Sequence, residues 1–383
     1  DVMGDPRLVV PCLSAFDKAN TRAGAVRNQE KTEVIYYATQ GQLQAAPVDW
    51  RMEEVAGLAR VLSAADPSVT LGVATGPAGG VRKQVEDKAK VVQAMADRIG
   101  VCSDAQTEHV MFKQSLGVCR LNHILRVHGA ALAQDGDTLK PFHEATRGAQ
   151  TRLFPGLQEE SFTQAALAPE VGGLGWRSPE ETALPANLGA LVATRPQVKH
   201  FALMAERAGL LPAGAVSARL DAQIADTQRA FEARLDPGEQ AKAGDFLQVA
   251  TRAAQAAFDR AFDGRSPDSL ERVRADISYD HIDFVDRGPG PSLIEEEARE
   301  LGDTDPARGP VNSQALQREL SRLQDRSNLS RLETTLRNQC NWIQLDRLRE
   351  LRHPEVSHKW LWHLDVRTGS VLAQADYVIN VQK

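Results

Sequence analysis

The spacing of apolar and polar positions divides the chain into a short strand-bearing start and a long helical remainder. Leu8, Val9, Val10, Cys12, Leu13 and Phe16 share one helical face, with Asp17, Lys18 and Arg22 towards water. The expected helix runs from Leu8 to Ala19, with Pro6 suited to its first turn. The polar turn Asn28-Gln29-Glu30-Lys31-Thr32 then feeds the β-branched and aromatic run Glu33 to Ala38, which predicts a strand. Gln40 to Pro47 is polar and turn-like. Trp50 to Ala64 places Met52, Val55, Leu58, Ala59 and Leu62 on one face and predicts a helix. Val69 to Thr75 predicts a short strand with Gly72 set inside it, a position where a backbone comes close.

Past Pro77-Ala78-Gly79-Gly80, expected as a hinge, the period is helical. Val81 to Ile99 puts Val85, Ala89, Val92, Met95 and Ile99 on one face. Ser103-Asp104 suits the cap of a helix from Thr107 to His128. There Val110, Ser115, Val118, Leu121, Ile124 and Leu125 would point inward, and Lys113, Arg120, Arg126 and His128 outward. Another helix is expected at Thr138 to Arg152. Glu170 to Trp176 is a glycine-rich turn, and Ser178-Pro179-Glu180-Glu181 starts a helix, with Ser as cap and Pro at its first position. Thr182 to Gly209, Ala215 to Leu235 and Gly238 to Phe262 follow as helices. Asp263 to Pro310, with Arg287-Gly288-Pro289-Gly290-Pro291 and Glu295-Glu296-Glu297, has the composition of a linker. Val311 to Leu351 predicts a long charged, Arg-rich helical stretch, His358 to Leu364 a short amphipathic insertion, and Leu372 to Val381 a last helix.

The chain of 383 residues has room for two or three domains at roughly 100–200 residues each. Aromatic content is only 5%, within 42% hydrophobic residues, which favours helix over sheet. A net charge of -6 gives no global nucleic-acid signature, so any nucleic acid is met by local patches. Cys12, Cys102, Cys119 and Cys340 show no paired short spacing, which argues against a zinc ribbon or a disulfide framework. A reducing intracellular compartment is the expectation, with nucleus and cytoplasm both open. No stretch approaches the roughly 18 apolar residues of a membrane span, so no membrane partner is expected.

The first helix, the Asn28/Lys31-Thr32 turn that opens a strand, and Leu71-Gly72 stand in an order and spacing that resemble the end of the palm in reverse transcriptases of non-LTR retroelements. A Gly-Gly-Leu-Gly turn followed by an Ala-rich helix, as at Gly172 to Gly175, also recurs beyond the thumb in such chains. The likeness is specific over residues 1–130, looser to about 200 and compositional beyond. It implies an α+β chain: the C-terminal remnant of a palm at 1–76, a thumb-like helical bundle at 77–152 and a helical extension at 153–262. A linker or loop at 263–310 and a C-terminal helical region at 311–383 would follow.

In that family a Tyr-x-Asp-Asp metal site precedes the helix. This chain opens at Asp1-Val2-Met3-Gly4 and is expected to be a fragment cut just downstream of the catalytic hairpin. The resemblance implies an RNA-directed DNA polymerase, a nucleotidyltransferase. It would work on an RNA template, an RNA–DNA duplex and dNTP, with Mg²⁺ in the intact enzyme. Two-metal phosphoryl transfer needs bridging carboxylates, so this chain alone is expected to be inactive and to hold no metal or cofactor. Lys31 would lie near the triphosphate as an accessory group. Leu71 and Gly72 would grip the primer end, and Lys113, Arg120 and Arg126 would touch backbone phosphates.

Plainer readings stand beside each of these. Lys31 is also a turn lysine, Leu71-Gly72-Val73 a buried strand with a bulge, for which burial is expected as much as for a primer grip, and the basic helix face a solvated one. His353, His358 and His363 lie five apart and share no helical face, which favours packing over zinc. The glycine turn lacks the Lys-Ser/Thr of a phosphate loop. For the whole chain the alternatives are a non-catalytic helical nucleic-acid-binding or scaffolding protein derived from such an element, and a decayed reading frame.

Overall fold

A computed structural model describes residues 9–22, 24, 26, 33–36, 60–63, 68–76, 78–101, 105–155, 158–207, 212–262 and 312–352. Lys31, the Gln40 to Pro47 turn, Ser103-Asp104, the 263–310 linker and all of 353–383 lie outside these residues. The chain divides into two compact units, Asp1–Asp87 and Lys88–Lys383.

In the first unit, helix α1 (Val9–Arg22) precedes strands β1 (Glu33–Tyr36) and β2 (Arg60–Ser63). These two pair in parallel, with Val34 opposite Val61 and Ile35 opposite Leu62. The helix expected to run to Ala64 is therefore corrected over 60–63. Four residues cannot fix a helical period, and strand pairing decides the conformation. Strands β3 (Ser68–Thr70) and β4 (Val73–Thr75) pair antiparallel, with Thr70 opposite Val73.

That register leaves Leu71 and Gly72 as a two-residue turn. Their φ values of 50° and 82° are the pair of positive angles a type I′ hairpin requires. The expected single strand with an internal glycine is thus a hairpin. Leu71 is 85% exposed, so the burial expected under both the primer-grip and the buried-strand readings is corrected too. Helix α2 (Ala78–Gly100) begins inside the segment expected as a hinge. Its Gln84 ties the hairpin down: Oε1 accepts from the Ala74 N–H at 2.9 Å, and Nε2 donates to the Gly72 carbonyl at 2.8 Å.

In the second unit the helix expected over 107–128 is broken. Helix α3 (Ala105–Met111) passes into a π turn (Phe112–Leu116), then Gly117, a 3₁₀ turn (Val118–Arg120) and helix α4 (Asn122–Gln134). Gly117 takes an extended ψ of -156°, and its N–H bonds back five residues to the Phe112 carbonyl at 2.7 Å, closing the wide turn. Helix α5 (Gly136–Leu153) is capped by Asp135, whose carboxylate accepts from the Asp137 N–H and the Thr138 hydroxyl. Helices α6 (Glu159–Ala166), α7 (Pro179–Arg207), α8 (Ala215–Glu232), α9 (Pro237–Phe262), α10 (Ser313–Asn338) and α11 (Trp342–Leu351) follow.

Helix α7 is the axle of this unit. Every residue from Thr182 to Gly189 is buried, because α4, α8, α9 and α10 all pack against it. A helical stretch that is apolar on nearly every side, with only Thr182 and Asn187 polar, has to lie inside. Its start follows the expected chemistry, with Ser178 Oγ accepting from the Glu181 N–H at 3.1 Å and Pro179 at the first position. Two glycines set the close approaches: a Cβ on Gly129 would lie 2.1 Å from the Ala183 carbonyl oxygen, and one on Gly189 2.9 Å from the Gln317 nitrogen. Asn187 Nδ2 stitches the first seam by donating to the Arg126 and Val127 carbonyls at 2.8 and 3.2 Å.

Leu184, Leu188, Val192, Phe231, Leu247, Leu316, Leu320 and Leu323 fill the core around the axle. Leu167, Leu329, Leu332, Leu336, Leu345 and Leu348 form a second cluster. The helical stretch expected over 311–351 is made of two helices. Cys340 sits at φ 54°, the Asn341 N–H reaches back to the Leu336 carbonyl and the Cys340 N–H to the Arg337 carbonyl. These are the two bonds of a Schellman stop. Segments expected as 77–152, 153–262 and 311–383 all contribute helices to this bundle. At the coarse level the chain is α+β, mostly helical with two small two-stranded sheets.

Candidate functional site

The break after α3 points one side chain away from the helix it would otherwise have followed. Lys113 lies on the π turn. Facing it are the 3₁₀ turn Pro169–Val171, the glycine turn and the first half of α10. Lys113, Glu170, Gly175, Arg177, Arg318 and Arg322 line a pocket of about 180 Å³ between these elements. The lining carries four cationic side chains and one carboxylate, that of Glu170, which is exposed.

Gly175 has φ 72°, and a Cβ there would meet Lys113 Cε and Nζ at 2.9 Å. The missing side chain is what lets the ammonium in. Burial pulls the Lys113 pKa down to about 8; Glu170 works against that fall and Arg177 adds to it. Arg177 forms an ion pair with Asp325, which is only 6% exposed. Burial lifts the Asp325 carboxyl to about 6 against the pull of Arg177, with Glu181 and Glu170 adding to the rise. Burial also raises the Glu181 carboxyl, which accepts from Asn328 Nδ2 at 2.9 Å. Arg322 is held by Glu319 at 2.7 Å on the same helix.

Beneath the pocket lies an aromatic cluster. Trp176 stands 5.3 Å from both His109 and Phe154 and edge-on to Phe112. Burial first, and the nearby Lys113 second, hold the His109 pKa down at about 3, so the ring is neutral. A small void of about 20 Å³ adjoins, lined by Trp176 together with Lys113, Gly175 and Arg177. The Trp176 Nε1–H is buried and has no hydrogen-bond partner among the described residues.

Of the nucleic-acid candidates Lys113, Arg120 and Arg126, only Lys113 reaches this pocket, where it meets Glu170 and Gly175 of the glycine turn. Arg120 lies on the 3₁₀ turn, where its guanidinium donates to the Ser115 carbonyl and sits 3.6 Å from Met95 Sδ. Arg126 lies on α4, with two nitrogens 3.4 Å from Gln317 Oε1. The three do not form one stripe on one helix, because a π turn and a 3₁₀ turn separate Lys113 and Arg120 from α4. Leu71 and Gly72 occupy the hairpin turn of the first unit, and Lys31 lies outside the described residues. Sequence reasoning missed Arg177, Arg318 and Arg322. The only local signal for the last two is their four-residue spacing, which puts them on one face of α10.

Among the described residues, no group of three or more His, Cys, Asp or Glu side chains is arranged to hold a metal ion. No described helix is long and apolar enough to cross a membrane. Comparison with protein-family models, with curated proteins and with solved structures finds no match.

Proposed function

We propose that the chain is the downstream palm, thumb and helical extension of a non-LTR-type reverse transcriptase. In this reading it holds template–primer duplex and is inactive alone. The Leu71-Gly72 turn is an exposed hairpin tip whose Gly72 carbonyl is held by Gln84, not the buried grip that the resemblance implied, and in this reading it meets the primer from the surface. The observation that carries the reading is the element order. A helix comes first, a strand begins immediately after Lys31-Thr32, the Leu-Gly tip follows, and a helical body comes last. Lys113, Arg120 and Arg126 act in this reading as separate phosphate contacts, each contributing about one unit to the salt slope of binding.

The test uses Leu71→Asp. Asp tolerates positive φ better than Leu does, so the turn survives while a negative charge enters the grip. The chain should bind an RNA–DNA duplex at low salt without sequence preference. The substitution should weaken that binding roughly three- to tenfold, on the order of 1 kcal/mol for a charge near phosphate. With Mg²⁺ and dNTP no nucleotide should be added to a primed RNA template. Incorporation above a mock preparation, duplex binding that is absent at low salt, or affinity that ignores the Asp would each overturn the reading.

A further inference from the structure

The pocket beside Lys113 is built differently from a nucleic-acid track. Its cations come from three stretches distant in sequence and converge on one small volume, rather than lying along an open face. We propose that the pocket lined by Lys113, Arg177, Arg318 and Arg322 binds a single phosphate group, the dianionic end of a phosphomonoester. This goes beyond the duplex-holding reading and does not depend on it.

Three observations carry the inference. The first is charge. Lys113, Arg177, Arg318 and Arg322 bring four positive charges to one small volume, and Glu170 with the Asp325 and Glu319 partners of Arg177 and Arg322 offsets three of them, leaving a small positive excess. Burying the Lys113 ammonium is costly, and a bound dianion would offset that cost. The second is geometry. Guanidinium groups match phosphate oxygens two at a time, and a lysine adds a point charge. Two of the three arginines are held by carboxylates within the fold, Arg177 by Asp325 and Arg322 by Glu319. Groups held in place before the ligand arrives lose less entropy on binding. The third is space. The pocket is several times larger than one water requires, enough for a phosphate and the first atoms of whatever carries it. The adjoining void shares Lys113, Gly175 and Arg177 with it and adds Trp176, whose buried Nε1–H has no acceptor among the described residues.

The same chemistry has two sources, a free phosphomonoester and the phosphorylated 5′ end of a nucleic-acid strand. The full chain is titrated with inorganic phosphate by calorimetry at about pH 7, where the Lys113 ammonium is charged. Saturable binding at one site is expected. Arg318→Ala combined with Arg322→Ala should weaken it at least tenfold, and Lys113→Met should do the same from the opposite wall. Arg252→Ala, on the exposed side of α9, should leave it unchanged. Phosphate should raise the thermal midpoint of the wild type and not that of the double variant. This readout holds even if the double variant starts from a lower midpoint.

A 5′-phosphorylated oligonucleotide is then competed against its 5′-hydroxyl counterpart. Preference for the phosphorylated end supports the pocket and names the strand end as source. Equal competition, with phosphate still bound, supports the pocket and names a free phosphoester. Non-saturating heats, equal affinity in the double variant, or an equal loss in Arg252→Ala would overturn the proposal. Phosphate binding without any duplex binding would leave the pocket standing and remove the reverse-transcriptase reading; duplex binding without phosphate binding would do the reverse.

Discussion

Replacing Gly129 by Ala would test whether the α4–α7 seam is the packing contact that fixes the bundle. In an isolated helix the change is favourable by roughly 0.5–1 kcal/mol, because Gly loses more backbone freedom on folding. In this helix the new methyl carbon would lie 2.1 Å from the Ala183 carbonyl oxygen and 2.9 Å from Asn187 Cβ. The first neighbour is backbone, so no rotamer change relieves it. The two helices must part by about 1 Å at the crossing, a strain of roughly 1–3 kcal/mol for an overfilled core. Parting them also stretches the Asn187 bonds to the Arg126 and Val127 carbonyls, now 2.8 and 3.2 Å, at about 1 kcal/mol each. Asn187 Oδ1 already has no partner, so the side chain has nothing to fall back on. Together these terms give a net loss of about 2–4 kcal/mol. The assay is urea unfolding followed by the helical circular-dichroism signal, with Gly148→Ala as control. Gly148 is exposed on α5, and its Cβ would meet only the end of Gln93 at 3.9 Å, so that change should stabilise slightly. A Gly129→Ala midpoint equal to or above the wild type would refute the argument.

Three further predictions concern buried charge and backbone strain. Asp325 binds its proton more tightly folded than unfolded, so its contribution to stability is lost as pH rises from about 4 to about 6. Asp325→Asn should therefore gain about 2–3 kcal/mol relative to wild type between pH 4 and pH 7, and an equal difference at both pH values would refute this. His109 stays neutral down to about pH 3, so the stability tied to it is present above pH 6.5 and is lost as pH falls. His109→Phe, which keeps a ring against Trp176, should remove about 3 kcal/mol of that loss at pH 4.5, and parallel pH profiles would count against it. Cys340 occupies a left-handed position in the stop between α10 and α11, so Cys340→Gly should raise stability by roughly 0.5–1 kcal/mol; a lower unfolding midpoint would show that strain does not govern the site.

The sequence showed the helices whose apolar period runs unbroken, α2, α5, α7, α8 and α9, and it showed the Ser178 cap. It hid the interruption between α3 and α4 for a physical reason. A π turn adds one residue to a turn, and apolar residues on either side still fall within a helical period when read straight through. A lone Gly117 in such a pattern reads as tolerated. The hairpin tip was hidden because a type I′ turn is announced by Asn-Gly or Asp-Gly, whereas Leu at positive φ has no sequence signal. The pocket was only partly legible. Lys113 could be singled out as a basic residue, but nothing local links it to Arg177 or to Arg318 and Arg322. Arg318 and Arg322 meet Lys113 only after α10 has packed beside α7.

That last contact sets an order of events during synthesis. The axle α7 ends at Arg207, and α10, which covers one of its flanks, begins at Ser313. At roughly 5–20 residues per second, the intervening stretch of about a hundred residues takes on the order of 5–20 s to make. For that interval the buried stretch of α7 around 182–193 waits with one flank bare, partnered by α4 and then by α8 and α9 as they emerge. The nascent chain is most prone to stick to other chains in this window, and a chaperone that binds extended apolar helix would find its target there. The arrangement that wraps the buried half of α7 with four helices makes its folding depend on α10, which arrives long after α7 itself.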